Sequence, residues 1–240
     1  MSLLVKTRKL ARLTRHPVYR NGLRHRVAAA VEHRDVPFRA SFASVVDAGA
    51  SRGQFALFAR GRWPAARLLC FEPLPGPRAV LERVLADHPA ARVLPYALDE
   101  TAGERAMHVS RRDDSSSLLA ITDRQTAVFP GTEEVSTEPV AAVRLDEALQ
   151  ADDLVAPTLL KIDVQGAELA VLRGGAGLLG ALDEILVECS FQELYAGQPL
   201  VDDVVAFLHE HGFALAGFGS QRLDAAGRAV QADLLFARAT

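Results

Sequence analysis

The run Ser44-Val-Val-Asp-Ala-Gly-Ala-Ser-Arg-Gly-Gln-Phe-Ala-Leu-Phe58 limits the possible folds more than any other stretch of the chain. Val45 and Val46 lead a short apolar run into Asp47, which reads as a buried strand ending in a carboxylate. Gly49 to Gly53 then forms a tight turn, and from Gln54 the apolar residues Phe55, Phe58 and Ala59 fall on one helical face. A strand passing through a glycine turn into a helix aims main-chain N–H groups at whatever lies above the sheet edge. Glycine there lets a ligand approach where a Cβ would collide. The spacing is D-x-G-x-x-x-G, with Ser51 where a dinucleotide fingerprint has its middle glycine.

A second strand, Ala66 to Phe71, ends in Glu72, 19 positions after Gly53. An acid about 20 residues beyond the turn is placed to accept both ribose hydroxyls of a nucleoside, whereas the plainer alternative is a solvated strand-end glutamate. A helix over Pro77–Asp87, a third strand over Ala91–Leu98 and a further strand over Glu104–Ser110 extend the βαβ order, which predicts a parallel, doubly wound sheet. The polar stretch 111–135 is either a mobile loop or the lining of a substrate cleft, with Ser115 and Ser116 as candidate substrate contacts. A strand over Glu138–Leu145 runs into a short helix at Asp146–Leu149.

Leu159 to Val164 is the next buried strand, with Lys161 and Asp163 of the same parity. Polar groups on such a strand belong at its open carboxyl end, and Gly166 turns the chain into a helix over Ala167–Leu172. The strand beginning at Glu184 is tipped by Glu188, which sets Asp163 and Glu188 side by side where open α/β sheets bind ligands; the alternative is that both simply pair with arginines. A helix over Pro199–His211 is stopped by Gly212, and strands over Phe213–Gly219 and Asp233–Ala237 close the chain as an antiparallel pair.

Composition bounds the rest. No apolar run reaches the 18 or so residues of a membrane span and no secretory leader pattern opens the chain, so a cytoplasmic location is expected, with Cys70 and Cys189 as buried free thiols. Residues 1–34 carry nine Lys/Arg against one acid, about +8, so a chain of net charge −3 leaves about −11 on the remainder. Residues 1–40 are therefore read as a basic helical extension, either a cap on the acidic body or a contact for an anionic membrane, and residues 41–240 as one domain. Tyr19 is the only aromatic residue among those arginines, which argues against a nucleic-acid surface. Oligomeric state is left open.

The doubly wound, mostly parallel seven-stranded sheet with a C-terminal antiparallel pair resembles the class I (Rossmann-like) S-adenosylmethionine-dependent methyltransferase fold, and within it the FkbM family. The resemblance rests on Val46-Asp-Ala-Gly-Ala-Ser-Arg-Gly-Gln-Phe55, Phe71-Glu-Pro-Leu-Pro75, Ala97-Leu98 with Gly103, Ser115-Ser-Ser-Leu-Leu119, Leu160-Lys-Ile-Asp-Val-Gln-Gly-Ala-Glu168, Val187-Glu-Cys-Ser-Phe191 and Leu194-Tyr-Ala-Gly-Gln-Pro199, spanning roughly residues 44–219. It implies methyl transfer from S-adenosyl-L-methionine to a hydroxyl of a small molecule or glycan. It places Asp47, Gly49, Ala50, Ser51 and Gly53 around the cofactor, with Glu72, Pro73, Ala97 and Leu98, and Tyr195 and Gln198 on the acceptor side. Two departures stand out: Ser51 where the family commonly has Asn, and Asp99-Glu100 where Gly/Ser-Asp is usual. Asp163 and Glu188 are the candidate catalytic groups, with Lys161 holding Asp163 ionised, and they suit a carboxylate base or a divalent ion such as Mg²⁺. The rival readings are an NAD-dependent oxidoreductase, a non-catalytic cofactor-binding protein, and an RNA methyltransferase using the basic arm.

Overall fold

The computed structural model describes residues 13–239, so the first third of the basic segment lies outside the described residues. The elements are α1 (Pro17–Arg24), β1 (Ser44–Ala48), α2 (Gln54–Arg62), β2 (Arg67–Phe71), α3 (Pro75–Leu85), β3 (Ala91–Leu94), β4 (Ala97–Leu98), β5 (Gly103–Ser110), α4 (Asp123–Val128), β6 (Glu134–Val143), α5 (Leu145–Ala148), β7 (Thr158–Ile162), α6 (Glu168–Gly174), β8 (Glu184–Ser190), α7 (Val201–Glu210), β9 (Phe213–Leu223) and β10 (Ala229–Arg238). The main sheet has seven strands in the order β3-β2-β1-β7-β8-β10-β9. β10 pairs antiparallel with both β8 and β9, and the other pairings are parallel.

Strand parity divides the core into two layers. Val45, Leu68 and Leu159 face one side of the sheet with Phe55, Phe58 and Trp63 of α2 and its end. Val46, Leu69 and Leu160 face the other with Leu172, Val187 and Leu208. The residues of β1 and β7 are all buried, as a strand covered on both faces requires. Cys70 and Cys189 are buried free thiols in this core.

Three elements differ from the sequence reading. Ala91–Leu98 is two strands, because Pro95-Tyr96 interrupts the pairing and β4 leaves the main sheet. β4, β6 and β5 form a separate three-stranded sheet in that order, so the strands expected over Glu104–Ser110 and Glu138–Leu145 do not join the main one. β6 explains why: Glu134 to Pro139 are exposed, and so polar a strand has no place between two apolar layers. Stretch 111–135 is not one loop, since Thr122 caps α4 by accepting from Gln125 N at 3.3 Å, and Val128 and Phe129 pack onto the buried Leu194 and Tyr195. Helix bounds shift by two residues at α3 and α7, where Leu200 is the N-cap and its N–H donates to Asp203 at 3.0 Å.

The described part of the N-terminal segment joins the core. Leu13, Val27, Ala30, Val31 and Val36 are buried with the aromatic layer around α2, and Ala30 N donates to Gln54 O at 2.9 Å. Trp63 sits edge-on to Phe42 and Phe38, with ring centroids 4.7 and 5.3 Å away. Among the described residues no helix is long and apolar enough to cross a membrane.

Deleting residues 1–36 is expected to uncover this aromatic layer and lower the melting temperature by roughly 10 °C or more, as the loss of several buried side chains implies. Calorimetry of the truncated chain checks it. Unchanged melting together with lost binding to anionic vesicles would instead give the segment a membrane role.

Candidate functional site

The turn after β1 is pinned from below. Asp47 and Lys161 are register partners on β1 and β7, so their side chains leave the same face of neighbouring strands. The Lys161 Nζ lies 3.0 Å from Asp47 Oδ1, 3.6 Å from Asp163 Oδ2, and donates to Gly49 O at 3.1 Å. Both residues are buried, at 4% and 1% exposure. Burial works against the Lys161 ammonium, but Asp47 and then Asp163 overcome it and hold its pKa above the ordinary value. Lys161 was expected to serve Asp163; its nearer partner is Asp47.

Above the pair, Gly49 turns with φ +77°, and a Cβ there would lie 1.9 Å from Asp163 O, so no side chain fits. Ser51 follows at φ +47°, the left-handed region that Asn would enter more easily. Asp163 N donates to Ala48 O, which fixes the end of β7 against the turn.

Two hollows open on either side of this junction, and Gly49, Ser51, Asp114, Asp163 and Gln165 line both. The first spans about 560 Å³ including its open mouth. Glu72 forms its polar wall, accepting from Ser51 N at 2.9 Å through Oε2 and from Leu74 N at 2.8 Å through Oε1. Burial pushes the Glu72 pKa up to about 7 against those two N–H donors. Pro73, Tyr96, Ala97, Leu98 and Met107 supply an apolar slot, and Asp113, Asp114 and Ser116 close it from the loop after β5. Arg52 Nε donates to Asp113 at 2.9 Å, tying that loop to the glycine turn. Of the residues read from the sequence as cofactor contacts, Gly49, Ser51, Glu72, Pro73, Ala97 and Leu98 line this hollow. Ala50 faces the second hollow instead, while Asp47 lies beneath the turn and Gly53 behind it, facing Leu81.

The second hollow, about 1110 Å³ including its open mouth, carries the carboxylates. Asp163 and Glu188 are joined by one side chain: Gln165 Nε2 donates to Asp163 Oδ1 at 2.7 Å and to Glu188 Oε2 at 2.9 Å. Gln231 Nε2 adds a bond to Glu188 at 3.2 Å. Burial, then the facing Asp163 and Asp233 carboxylates, push the Glu188 pKa well above the usual range. Asp233 is the register partner of Glu188 across β8 and β10, so these two acids are neighbours by construction.

Ser115 lines the second hollow and Ser116 the first. Tyr195 and Gln198, expected on the acceptor side, line neither. Tyr195 is fully buried; its hydroxyl lies 2.7 Å from Gln165 Oε1 and 3.0 Å from Ser115 O, and accepts from Gln125 Nε2 at 3.1 Å. Gln198 Oε1 accepts from Leu194 N and Tyr195 N at 2.6 and 2.8 Å, which shapes the turn after β8. Both therefore hold the scaffold that aims Gln165. The residues the sequence reading passed over are Gln165, His33, Gln231 and Asp233. Gln165 had a signal, a polar residue directly before the glycine that ends a buried strand, and it takes φ +57°. Among the described residues no group of three or more His, Cys, Asp or Glu is placed to hold a metal ion, so the divalent ion weighed beside a carboxylate base has no ready ligand set.

Residues 47–215 match the model of the methyltransferase FkbM domain. The chain is 30% identical over 195 residues to the 31-O-demethyl-FK506 methyltransferase FkbM of Streptomyces tacrolimicus, covering 71% of this chain and 72% of that one. It is 30% identical over 165 residues to the 2-O-methyltransferase NoeI of Sinorhizobium fredii, covering 64% and 66%. Among solved structures, fibrillarin of Aeropyrum pernix in complex with S-adenosyl-L-methionine aligns at 14% identity and TM-score 0.46, covering 80% of this chain and 65% of that one.

Lys161→Met is expected to destabilise the chain by about 3–5 kcal/mol, the cost of leaving a buried carboxylate unpaired. Removing both charges in Asp47→Leu/Lys161→Met is expected to recover much of that. Denaturant titration of the three proteins checks it, and wild-type stability in the single variant would remove the pair from its structural role.

Proposed function

The chain belongs to the FkbM family of methyltransferases, and from that premise we propose that it moves the methyl group of S-adenosyl-L-methionine to a hydroxyl of a small molecule or glycan. One observation carries the reading. The nucleoside-type hollow beside Glu72 and the carboxylate-bearing hollow meet at Gly49, Asp163 and Gln165, so a donor in one and an acceptor in the other would touch there. The names of both relatives specify O-methylation, which supports a hydroxyl acceptor.

The residues present fit the cofactor. Glu72 keeps lone pairs for the ribose hydroxyls beyond its two main-chain bonds, and the slot from Tyr96 to Leu98 suits a base. The missing Cβ of Gly49 lets the turn pack directly against the Asp163 carbonyl, where the two hollows meet. When bound, the cofactor supplies a methyl already activated on a sulfonium. The chain then has to align the acceptor oxygen with that methyl and take its proton. As the acceptor oxygen took that methyl, its hydroxyl proton would pass to Asp163. Asp163 suits that role better than Glu188, because the Lys161 ammonium lies 3.6 Å from Oδ2 while Glu188 is pushed toward its protonated form. Gln165 holds Oδ1, which leaves Oδ2, 3.6 Å from the Lys161 ammonium, as the oxygen that would take the proton.

Two outcomes are expected. Ribose hydroxyls donate to ionised Glu72, so binding draws its pKa below the value of about 7 held without ligand. Affinity for S-adenosylhomocysteine should therefore rise as pH rises through about 7 and level off above it. Glu72→Gln should flatten that profile and cost roughly 10- to 100-fold in affinity, read by calorimetry. Tight NAD binding without S-adenosylhomocysteine binding would return the oxidoreductase reading. Asp163→Asn is expected to lower turnover about 10²–10⁴-fold with cofactor affinity nearly unchanged. Near-normal turnover in both Asp163→Asn and Glu188→Gln would reject the carboxylate assignment.

A further inference from the structure

The two hollows differ in which parts of the chain build them. Every residue lining the first falls within residues 47–215, the stretch that matches the family model. The second takes one wall from before it, Ala30 to His33, and another from after it, Ser220 and Arg222 of β9 with Gln231 and Asp233 of β10. The donor side is thus made of family-shared chain, and the acceptor side is finished by segments outside that match.

These walls are ordered and polar. His33 Nδ1 donates to Ala30 O at 3.0 Å, which leaves Nε2 turned to the hollow. Its ring is held edge-on to Phe55 at 5.1 Å between centroids. His33 Nε2 lies 3.7 Å from Asp233 Oδ2, too far for a hydrogen bond, and with the ring proton on Nδ1 both are acceptors, so two neighbouring hydroxyls or one ammonium can donate to the pair. Asp233 is steadied by Ser220 N and Oγ. Asp163, Glu188 and Asp233 all face this space. Five acids (Glu32, Asp114, Asp163, Glu188 and Asp233) line the hollow against the cations Arg112, Lys161 and Arg222; Lys161 is paired with Asp47 and Arg112 with Asp114 at 3.5 Å, while Arg222 stacks over the Phe129 ring at 5.4 Å.

Resting on the methyl-transfer reading, we propose that Ala30–His33 and the β9–β10 pair form the acceptor-recognition wall. It would take a polyhydroxylated acceptor that is neutral or carries an amine, with His33 Nε2 and Asp233 each accepting from one of its hydroxyls or both from its ammonium. A hydroxyl or ammonium donates to these carboxylates, whereas an anionic acceptor meets more acids than cations along this wall.

Saturation-transfer NMR on the full chain, filled with S-adenosylhomocysteine, tests this with p-nitrophenyl glycosides of a hexose, a 2-aminohexose and a hexuronic acid. The first two are expected to bind, and the uronide at least about tenfold more weakly. Asp233→Asn and His33→Gln are each expected to weaken hexoside binding about tenfold, with S-adenosylhomocysteine affinity within about twofold of wild type. Asp233→Asn should also narrow the discrimination against the uronide. The charge series on the unmodified chain needs no variant. Preferred binding of the uronide, no glycoside binding by a chain that holds S-adenosylhomocysteine, or unchanged hexoside binding in both folded variants would overturn the proposal. Failure to bind S-adenosylhomocysteine would instead overturn the methyl-transfer reading beneath it.

Discussion

The site depends on a buried ion pair under a glycine turn. Asp47 and Lys161 leave adjacent strands at the same level, and the ammonium also bonds the carbonyl of Gly49. That contact holds the turn against the end of β7, where the missing Cβ of Gly49 lets the Asp163 carbonyl come within contact distance. Each element of the junction needs the others. Without Gly49 the strands could not close up, and without Lys161 the Asp47 carboxylate would be buried with no counter-charge. The low dielectric that makes the pair costly also makes it directional, so the turn has one arrangement to adopt.

The parts of this arrangement that follow from strand parity were legible in the sequence. Asp163 and Glu188 end neighbouring parallel strands, β7 and β8, and are joined by one amide. Glu72 ends β2 and faces the first hollow because an acid directly after a buried strand has nowhere else to point. What escaped was set by contacts distant in sequence. Nothing local marks β5 and β6 as a separate sheet except the polar character of β6, which reads equally well as an edge strand. Tyr195 and Gln198 belong to a motif, yet their side chains are absorbed by Gln165 and by the turn after β8. His33 lies in a basic stretch that gave no hint of reaching Asp233, 200 residues later.

A division of labour follows from that geometry. Main-chain N–H groups of Ser51 and Leu74 position Glu72, so the first hollow depends on backbone that tolerates many side chains. Side-chain amides position the carboxylates of the second hollow: Gln165 spans Asp163 and Glu188, and Gln231 supports Glu188. A fork of that kind is exacting, since shortening Gln165 by one carbon would take its bond from both acids at once. The left-handed backbone at Gln165 is in keeping with such a demand.

The placement of the chain's single tryptophan has a spectroscopic consequence. Trp63 lies at 3% exposure among Phe38, Phe42 and Phe58, on the layer that the N-terminal segment covers and away from both hollows. Its indole N–H is buried without a partner, so its emission belongs at the blue end of the range. Intrinsic fluorescence in this protein is thus a private gauge of how the N-terminal segment sits. It reddens when that layer is wetted, and it stays silent while ligands come and go at the carboxyl edge of the sheet.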